Sequence, residues 1–328
     1  MKLAAIDIGS NSLHLLIARI DHAGRFRVLH KEKKMIRLGA QSLQSGEIPQ
    51  GAAQRAIGTL RRFASGCRTR GVEEIAAVAT SAVREARNRD EFLWRIEKEV
   101  GLIVRVLSGK AEGRLIALAV ARFNRGDLQK DLIVDIGGGS TELILLREGE
   151  HTLIDSLKLG SVRLTERFLR SDPTALEEVG RLREHVCRLM DKSAAKIRSE
   201  GFDRTVGTSG TIRALARMSL WTKRSPSDLR RSRLTLELGA LQALNQRLFV
   251  MTLEERSKLP GLPGRRADII VAGGLLLEEI MIALGVGRLT TCPWALREGL
   301  LLDAVRERGL SDLPGSTRPS SGRMPATA

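Results

Sequence analysis

Cysteine is scarce: the three in this 328-residue chain, Cys67, Cys187 and Cys292, stand far apart with no Cys-x-x-Cys pair. That argues against a disulfide framework and a cysteine zinc site, and predicts reduced core thiols in a cytoplasm. Tyrosine is absent and aromatics make up 3% of the residues, so the stacking platforms of a single-strand nucleic-acid binder are in short supply. The five histidines, His14, His22, His30, His151 and His185, form no ligand spacing and no pairing with Ser or Cys. Nucleophilic-triad chemistry therefore gets no support. No Gly-x-x-x-x-Gly-Lys-Ser/Thr loop occurs, which removes the commonest type of NTPase. The longest apolar stretch, Ile269 to Val286, carries Glu278 and Glu279 in its middle, where carboxylates would be costly inside a bilayer. The N-terminus has only Lys2 before a short apolar run broken by Asp7, which is not a signal-peptide pattern. A soluble cytoplasmic protein with no membrane partner is expected.

What is present starts with size: at roughly 150 residues per domain the length predicts about two domains, each with a proper core. Hydrophobic residues make up 42% and charged residues 28%, the balance of a globular chain. Lys and Arg total 54 against 38 Asp and Glu, leaving +16, an excess that attracts polyanions over long range. With so few aromatics, a phosphate-rich small molecule or polymer competes well with nucleic acid as that partner. A merely basic surface is the plain alternative.

An internal repeat organises the chain. Ile6-Asp7-Ile8-Gly9-Ser10-Asn11-Ser12 aligns with Val134-Asp135-Ile136-Gly137-Gly138-Gly139-Ser140 at an offset of 128 residues. Each copy reads as strand, Gly/Ser turn, strand (3–8 and 13–20; 132–136 and 143–146), which predicts two β-hairpins. Helical patterns follow at 52–63, 90–100 and 111–123, with short strands at 75–79 and 103–107. The second half repeats the plan with a strand at 152–156, helices within 161–168 and 173–198, and a short strand at 205–206. Segments 236–248, 266–284 and 296–305 read as helices. From Ser311 the composition of Pro, Ser, Gly, Thr and Arg predicts a disordered tail.

The repeated turns carry the chemistry. Small residues at Gly9, Ser10, Asn11 and Ser12 let backbone N–H groups converge on an anion, and Gly137, Gly138, Gly139, Ser140 and Thr141 do so with less bulk. One such turn is usually just a turn. Two in the same setting, facing each other, would grip a phosphate chain from both sides. Each is preceded by an aspartate, and Glu142 follows Asp135 seven residues later. Carboxylates beside phosphates commonly hold Mg²⁺, so Asp135 and Glu142 are metal candidates. Asp7 is either a third or a turn-capping carboxylate. At Thr80 and Ser81 a strand ends and a helix begins, where either hydroxyl can cap. Arg84 lies about one turn further, a phosphate ligand or a solvated surface group. Glu112 opens the helix linking the two repeated halves, either as a base for water attack on phosphorus or as an ordinary first-turn Glu. Gly207-Thr208-Ser209-Gly210 is a third small-residue turn opening a helix, another place for phosphate or for a nucleotide sugar.

Taken together these segments, with Leu107-Ser108-Gly109 and Leu296-Arg297-Glu298-Gly299, resemble the exopolyphosphatase and guanosine pentaphosphate phosphatase (Ppx/GppA) family over residues 3 to 305. That family belongs to the actin, Hsp70 and sugar kinase (ASKHA, RNase H-like) superfamily. The resemblance implies an α/β fold of two actin-like domains around an interdomain cleft: residues 1–123 plus a returning helix within 296–310, and residues 124–295, with the hinge near Phe123. It implies hydrolysis of a terminal phosphoanhydride, of polyphosphate or alternatively guanosine pentaphosphate, with Mg²⁺ as cofactor and a homodimer as a possible assembly. By position it implies Glu112 as base, Asp135 and Glu142 as the metal-linked pair, and Arg84 as a phosphate contact. Lys110, Ala111 and Gly113 depart from the family's segment around Glu112. An ATP-dependent kinase and a non-enzymatic polyanion binder are the readings from other classes.

Overall fold

The computed structural model describes residues 1–21, 25–124, 129–220 and 233–308. Short apolar runs, buried on both faces, give β1 (Lys2–Ile8) and β2 (Ser12–Ile20), paired antiparallel with Asp7 opposite His14. β3 (Phe26–Met35) extends the sheet and is followed by α1 (Gly39–Ser45) and α2 (Gln50–Thr69). Then come β4 (Glu74–Ala79), the single turn α3 (Ser81–Arg84), α4 (Arg89–Val100), β5 (Val104–Val106) and α5 (Gly109–Asn124). The sheet order is β3-β2-β1-β4-β5.

The second half opens with β6 (Asp131–Ile136), β7 (Thr141–Arg147) and β8 (Glu150–Leu157), then α6 (Ser161–Phe168) and α7 (Leu176–Glu200). It continues through β9 (Arg204–Thr208), α8 (Ser209–Leu220), β10 (Thr235–Glu237), α9 (Leu238–Val250) and α10 (Leu253–Ser257). α11 (Ile270–Ala283), β11 (Arg288–Thr291) and α12 (Leu296–Glu307) complete it. Its sheet order, β10-β11-β9-β6-β7-β8, repeats the first order strand for strand and adds β10 at the edge. The fold is the expected α/β arrangement, two halves each built on its own mixed sheet. Among the described residues no helix is long and apolar enough to cross a membrane. The tail expected from Ser311 onward lies outside the described residues.

Each sheet has its own core. On α2 the residues Ala56, Ile57, Leu60, Phe63, Ala64 and Cys67 recur at three- and four-residue spacing and bury against the first sheet. Full burial of a side chain the size of Leu60 contributes about 1.5–3 kcal/mol. A third core joins the halves: Leu115, Ile116 and Val120 of α5 and Leu300, Leu301 and Val305 of α12 pack with Leu3 and Leu16 from one sheet and Ile133 and Ile144 from the other. α5 and α12 are thus the central layer, and α5 carries Glu112 in its first turn.

Gly299 sits where α12 crosses α5, and a Cβ there would collide with the Leu115 carbonyl. Its φ is not positive, so space rather than handedness requires glycine. Overpacking against backbone typically costs about 1–3 kcal/mol or more. Gly299→Ala is therefore expected to lower the urea-unfolding free energy by at least ~2 kcal/mol; an unchanged midpoint would contradict this packing.

Several expectations are corrected. Cys187 is exposed, and only Cys67 and Cys292 are core thiols. Neither Thr80 nor Ser81 caps α3 through its side chain; the Ser81 hydroxyl bonds Ser10 instead. The segment expected as one helix from Arg266 begins as a short 3-10 turn, Gly264–Arg266, and becomes α-helical at Ile270. β3, β10 and β11 were not foreseen, because β3 is largely charged and the other two span only Thr235–Glu237 and Arg288–Thr291.

Candidate active site

Both Gly/Ser turns are closed by the same bond: Gly9 N–H donates to Ser12 O at 3.2 Å and Gly137 N–H to Ser140 O at 2.9 Å. They meet face to face. A Cβ on Gly138 would lie 3.0 Å from Ser10 Cβ and 3.3 Å from Asn11 N, and Ser10 Oγ lies 2.8 Å from Ser81 Oγ. Neighbouring elements fix this contact. Gly39 N–H donates to Ser10 O at 2.6 Å, and the first turn of α6 donates Ser161 N–H to Gly137 O and Val162 N–H to Gly138 O. Arg163 Nε also donates to Gly139 O at 2.7 Å while its Nη2 donates to Glu85 Oε1 across the halves at 2.6 Å.

The turns open into one cavity of about 370 Å³. Of the residues expected from sequence, Asp7, Gly9, Ser10, Asn11, Ser12, Glu112, Asp135, Gly137, Gly138, Ser140, Thr208, Ser209 and Gly210 line it. Gly139, Thr141, Gly207, Glu142 and Arg84 are not in its wall. Gly139 packs on Ser81 and Ser10, and Gly207 on Ile212 and Leu289. Thr141 Oγ1 donates to Leu159 O at 2.6 Å. Glu142 stands one layer back, its Oε1 accepting from Ser156 Oγ at 2.8 Å. Arg84 stands behind Glu112, donating through Nη1 to Glu112 Oε2 at 3.1 Å and to Leu107 O at 2.8 Å. In this geometry its guanidinium serves the carboxylate.

The carboxylates strain against one another. Burial, then the charges of Glu112 and Asp7, push Asp135 up to about 7. Burial, then Asp135, push Glu142 up to about 7. Burial raises Asp7 to about 6 against the pull of Arg297 and Lys33. Glu112 is raised well above the usual range by burial, then by Glu142, with Arg84 opposing. Asp7 Oδ1 is buried and without a hydrogen-bond partner. Such a set favours an added cation.

Sequence reasoning missed a set of cations in the same cavity. Lys31, Lys33, Arg213, Arg217, Arg265, Arg266 and Arg297 all line the same cavity. Burial, then Arg266, Arg265 and Arg297, bring Lys33 down to about 7, and burial with Arg265 and Arg217 brings Arg266 down to about 10. These cations repel one another as the acids do, a wall that a polyanion relieves. The Arg266 guanidinium lies directly over Gly210 and donates to Thr211 Oγ1 at 3.2 Å. Ser209 adopts a left-handed φ of 77° and its hydroxyl is buried without a partner. A sequence signal existed for two of them: Lys31 and Lys33 are two apart on β3 and so share a face. The arginines come from separate segments with no shared period.

A profile of the Ppx/GppA phosphatase family matches residues 16–308. The chain is 38% identical over 304 residues to exopolyphosphatase 1 of Mycobacterium leprae, covering 92% of this chain and 89% of that protein. It superposes on the crystal structure of an exopolyphosphatase from Cytophaga hutchinsonii with a TM-score of 0.86 at 29% identity, covering 94% of this chain and 98% of the other. The Aquifex aeolicus Ppx/GppA family member gives 0.78 at 32% identity, again covering 94% and 98%. With the twin turns, the buried carboxylates and a match spanning both halves, the chain belongs to the Ppx/GppA phosphatase family.

Proposed function

We propose that the chain hydrolyses the terminal phosphoanhydride of inorganic polyphosphate in the cavity between its twin turns. The observation that carries the reading is a single cavity lined by two facing small-residue turns, by buried carboxylates and by seven Lys and Arg side chains. The turns, with Ser10, Asn11, Ser12 and Ser140, hold the terminal phosphoryl group, and the cation wall takes the following phosphates. Glu112 removes a proton from water for in-line attack, its raised pKa suiting it to hold that proton, and Arg84 orients the carboxylate and opposes the burial that disfavours its ionised form. The third turn, with Thr208 and Ser209 at the N-terminus of α8, adds donors for the chain.

The acid set fits a hard divalent cation, Mg²⁺ by its preference for oxygen, with Asp7 and Asp135 in the cavity wall as its holders and Glu142, one layer back beside Asp135, as the third carboxylate of the set. Among the described residues no three His, Cys, Asp or Glu side chains come together as a metal cage. When bound, the cation supplies neutralisation of charge on the phosphoryl oxygens.

Among the described residues no Phe, Trp or Tyr lines the cavity, so none of them offers a guanine base an aromatic stacking face. Polyphosphate is accordingly favoured over guanosine pentaphosphate. The test is phosphate release from each, with and without Mg²⁺, with kcat/KM expected to be higher for polyphosphate. A higher value for guanosine pentaphosphate, or ADP formed from ATP with an acceptor, would overturn the reading. Arg266→Ala should raise KM for polyphosphate by about tenfold or more, the loss of one charged hydrogen bond, with kcat less affected.

A further inference from the structure

His14 is in the cavity wall but holds no role in the chemistry above. It lies two residues after Ser12 on β2, so both side chains share a face, and its Nε2 is 2.8 Å from Ser12 Oγ. Its other nitrogen, Nδ1, is 3.4 Å from Arg297 Nη1, which comes from α12, 283 residues away in the chain.

The direction of both bonds follows from Arg297. A guanidinium carries only donors, so Nδ1 must accept and holds a lone pair. In a neutral imidazole the proton is then on Nε2, which donates to Ser12 Oγ. Burial, then Arg297, Lys33, Arg266 and Arg265, hold the ring well below its ordinary pKa, in keeping with that neutral form. With its oxygen already accepting from His14, Ser12 keeps its own hydrogen for another partner, and Ser12 faces the cavity. The opposite tautomer would take the Ser12 hydrogen and turn the hydroxyl's lone pairs toward the cavity. Phosphoryl oxygens only accept, so that state would repel the substrate that the first tautomer binds.

Resting on the reading of the first turn as a phosphate holder, we infer that His14, locked by Arg297, is a positioning residue that sets Ser12 as a hydrogen-bond donor to the phosphoryl group. The returning helix α12 thereby sets the polarity of a turn at the other end of the chain.

Two measurements test this. In the intact chain labelled with ¹⁵N-histidine, long-range ¹H–¹⁵N spectra at neutral pH should place the His14 proton on Nε2, with Arg297→Leu allowing the Nδ1–H form to appear. A proton on Nδ1 in the wild type overturns the inference whatever the substrate is. In polyphosphate assays, His14→Leu and Ser12→Ala should each lower kcat/KM by about tenfold to a hundredfold, the range for a hydrogen bond to a charged acceptor. The double variant should then be within about threefold of Ser12→Ala alone. His14→Gln, whose amide N–H can reach the Nε2 position, should recover most of the loss. Losses that multiply in the double variant, or no recovery by Gln, would make His14 a structural residue and overturn the inference. If the wild type releases no phosphate from polyphosphate, the substrate reading fails, and the tautomer spectrum still decides the case of His14.

Discussion

Glu112→Gln is expected to lower kcat for phosphate release from polyphosphate by about a hundredfold to ten-thousandfold, the contribution of a positioned general base. Gln keeps the shape and an acceptor oxygen for Arg84 Nη1, now 3.1 Å from Glu112 Oε2, but removes the proton acceptor. KM should change little, because the turns and the cation wall that hold the phosphates are untouched. Stability should hold or rise, since the substitution removes one of several buried carboxylates that raise one another's pKa. Burial of like charges is costly unless compensated. Retention of more than a tenth of wild-type kcat, measured on a variant with an unchanged unfolding midpoint, would remove Glu112 from the role of base. Asp135 and Asp7, which share the cavity wall, would then be the next carboxylates to replace.

The hairpins were legible because each is built from local pattern alone: a short apolar run, a small-residue turn, a second apolar run, and the same again 128 residues later. The reason for the turn glycines was not legible. Gly9, Gly137, Gly138 and Gly139 are all outside the left-handed region, so backbone freedom does not require them. What requires glycine at Gly138 and Gly139 is the approach of Ser10 and Ser81 from the other half, a tertiary fact with no local signature. The same holds for Arg84. Its position after the strand end singled it out, but its partner depends on how α5 presents Glu112. The cation wall is assembled from β3, α8, the turn before α11 and the start of α12. The net charge of +16 announced that such a surface exists and could not say where the segments converge.

Gly138→Val is expected to reduce kcat/KM by about a hundredfold, the scale for misplacing reacting groups by ~1 Å, while Gly138→Ala costs only a few-fold. The contrast comes from the space available. An Ala Cβ at 3.0 Å from Ser10 Cβ and 3.3 Å from both Asn11 N and Val162 Cγ2 asks the neighbours to give by a few tenths of an ångström. The two γ carbons of Val must enter the gap between the turns, and one wall of that gap is the backbone of Asn11. Backbone cannot rotate aside as a side chain can, so the turns have to separate. Each sheet keeps its own core, so the fold should survive, with unfolding cooperative and the midpoint lowered by only a few degrees. Loss of activity with the fold intact isolates the joint grip of the two turns from stability. Val at this position with activity within about threefold of wild type would mean that one turn alone holds the phosphoryl group, whatever the other contributes to the cavity wall.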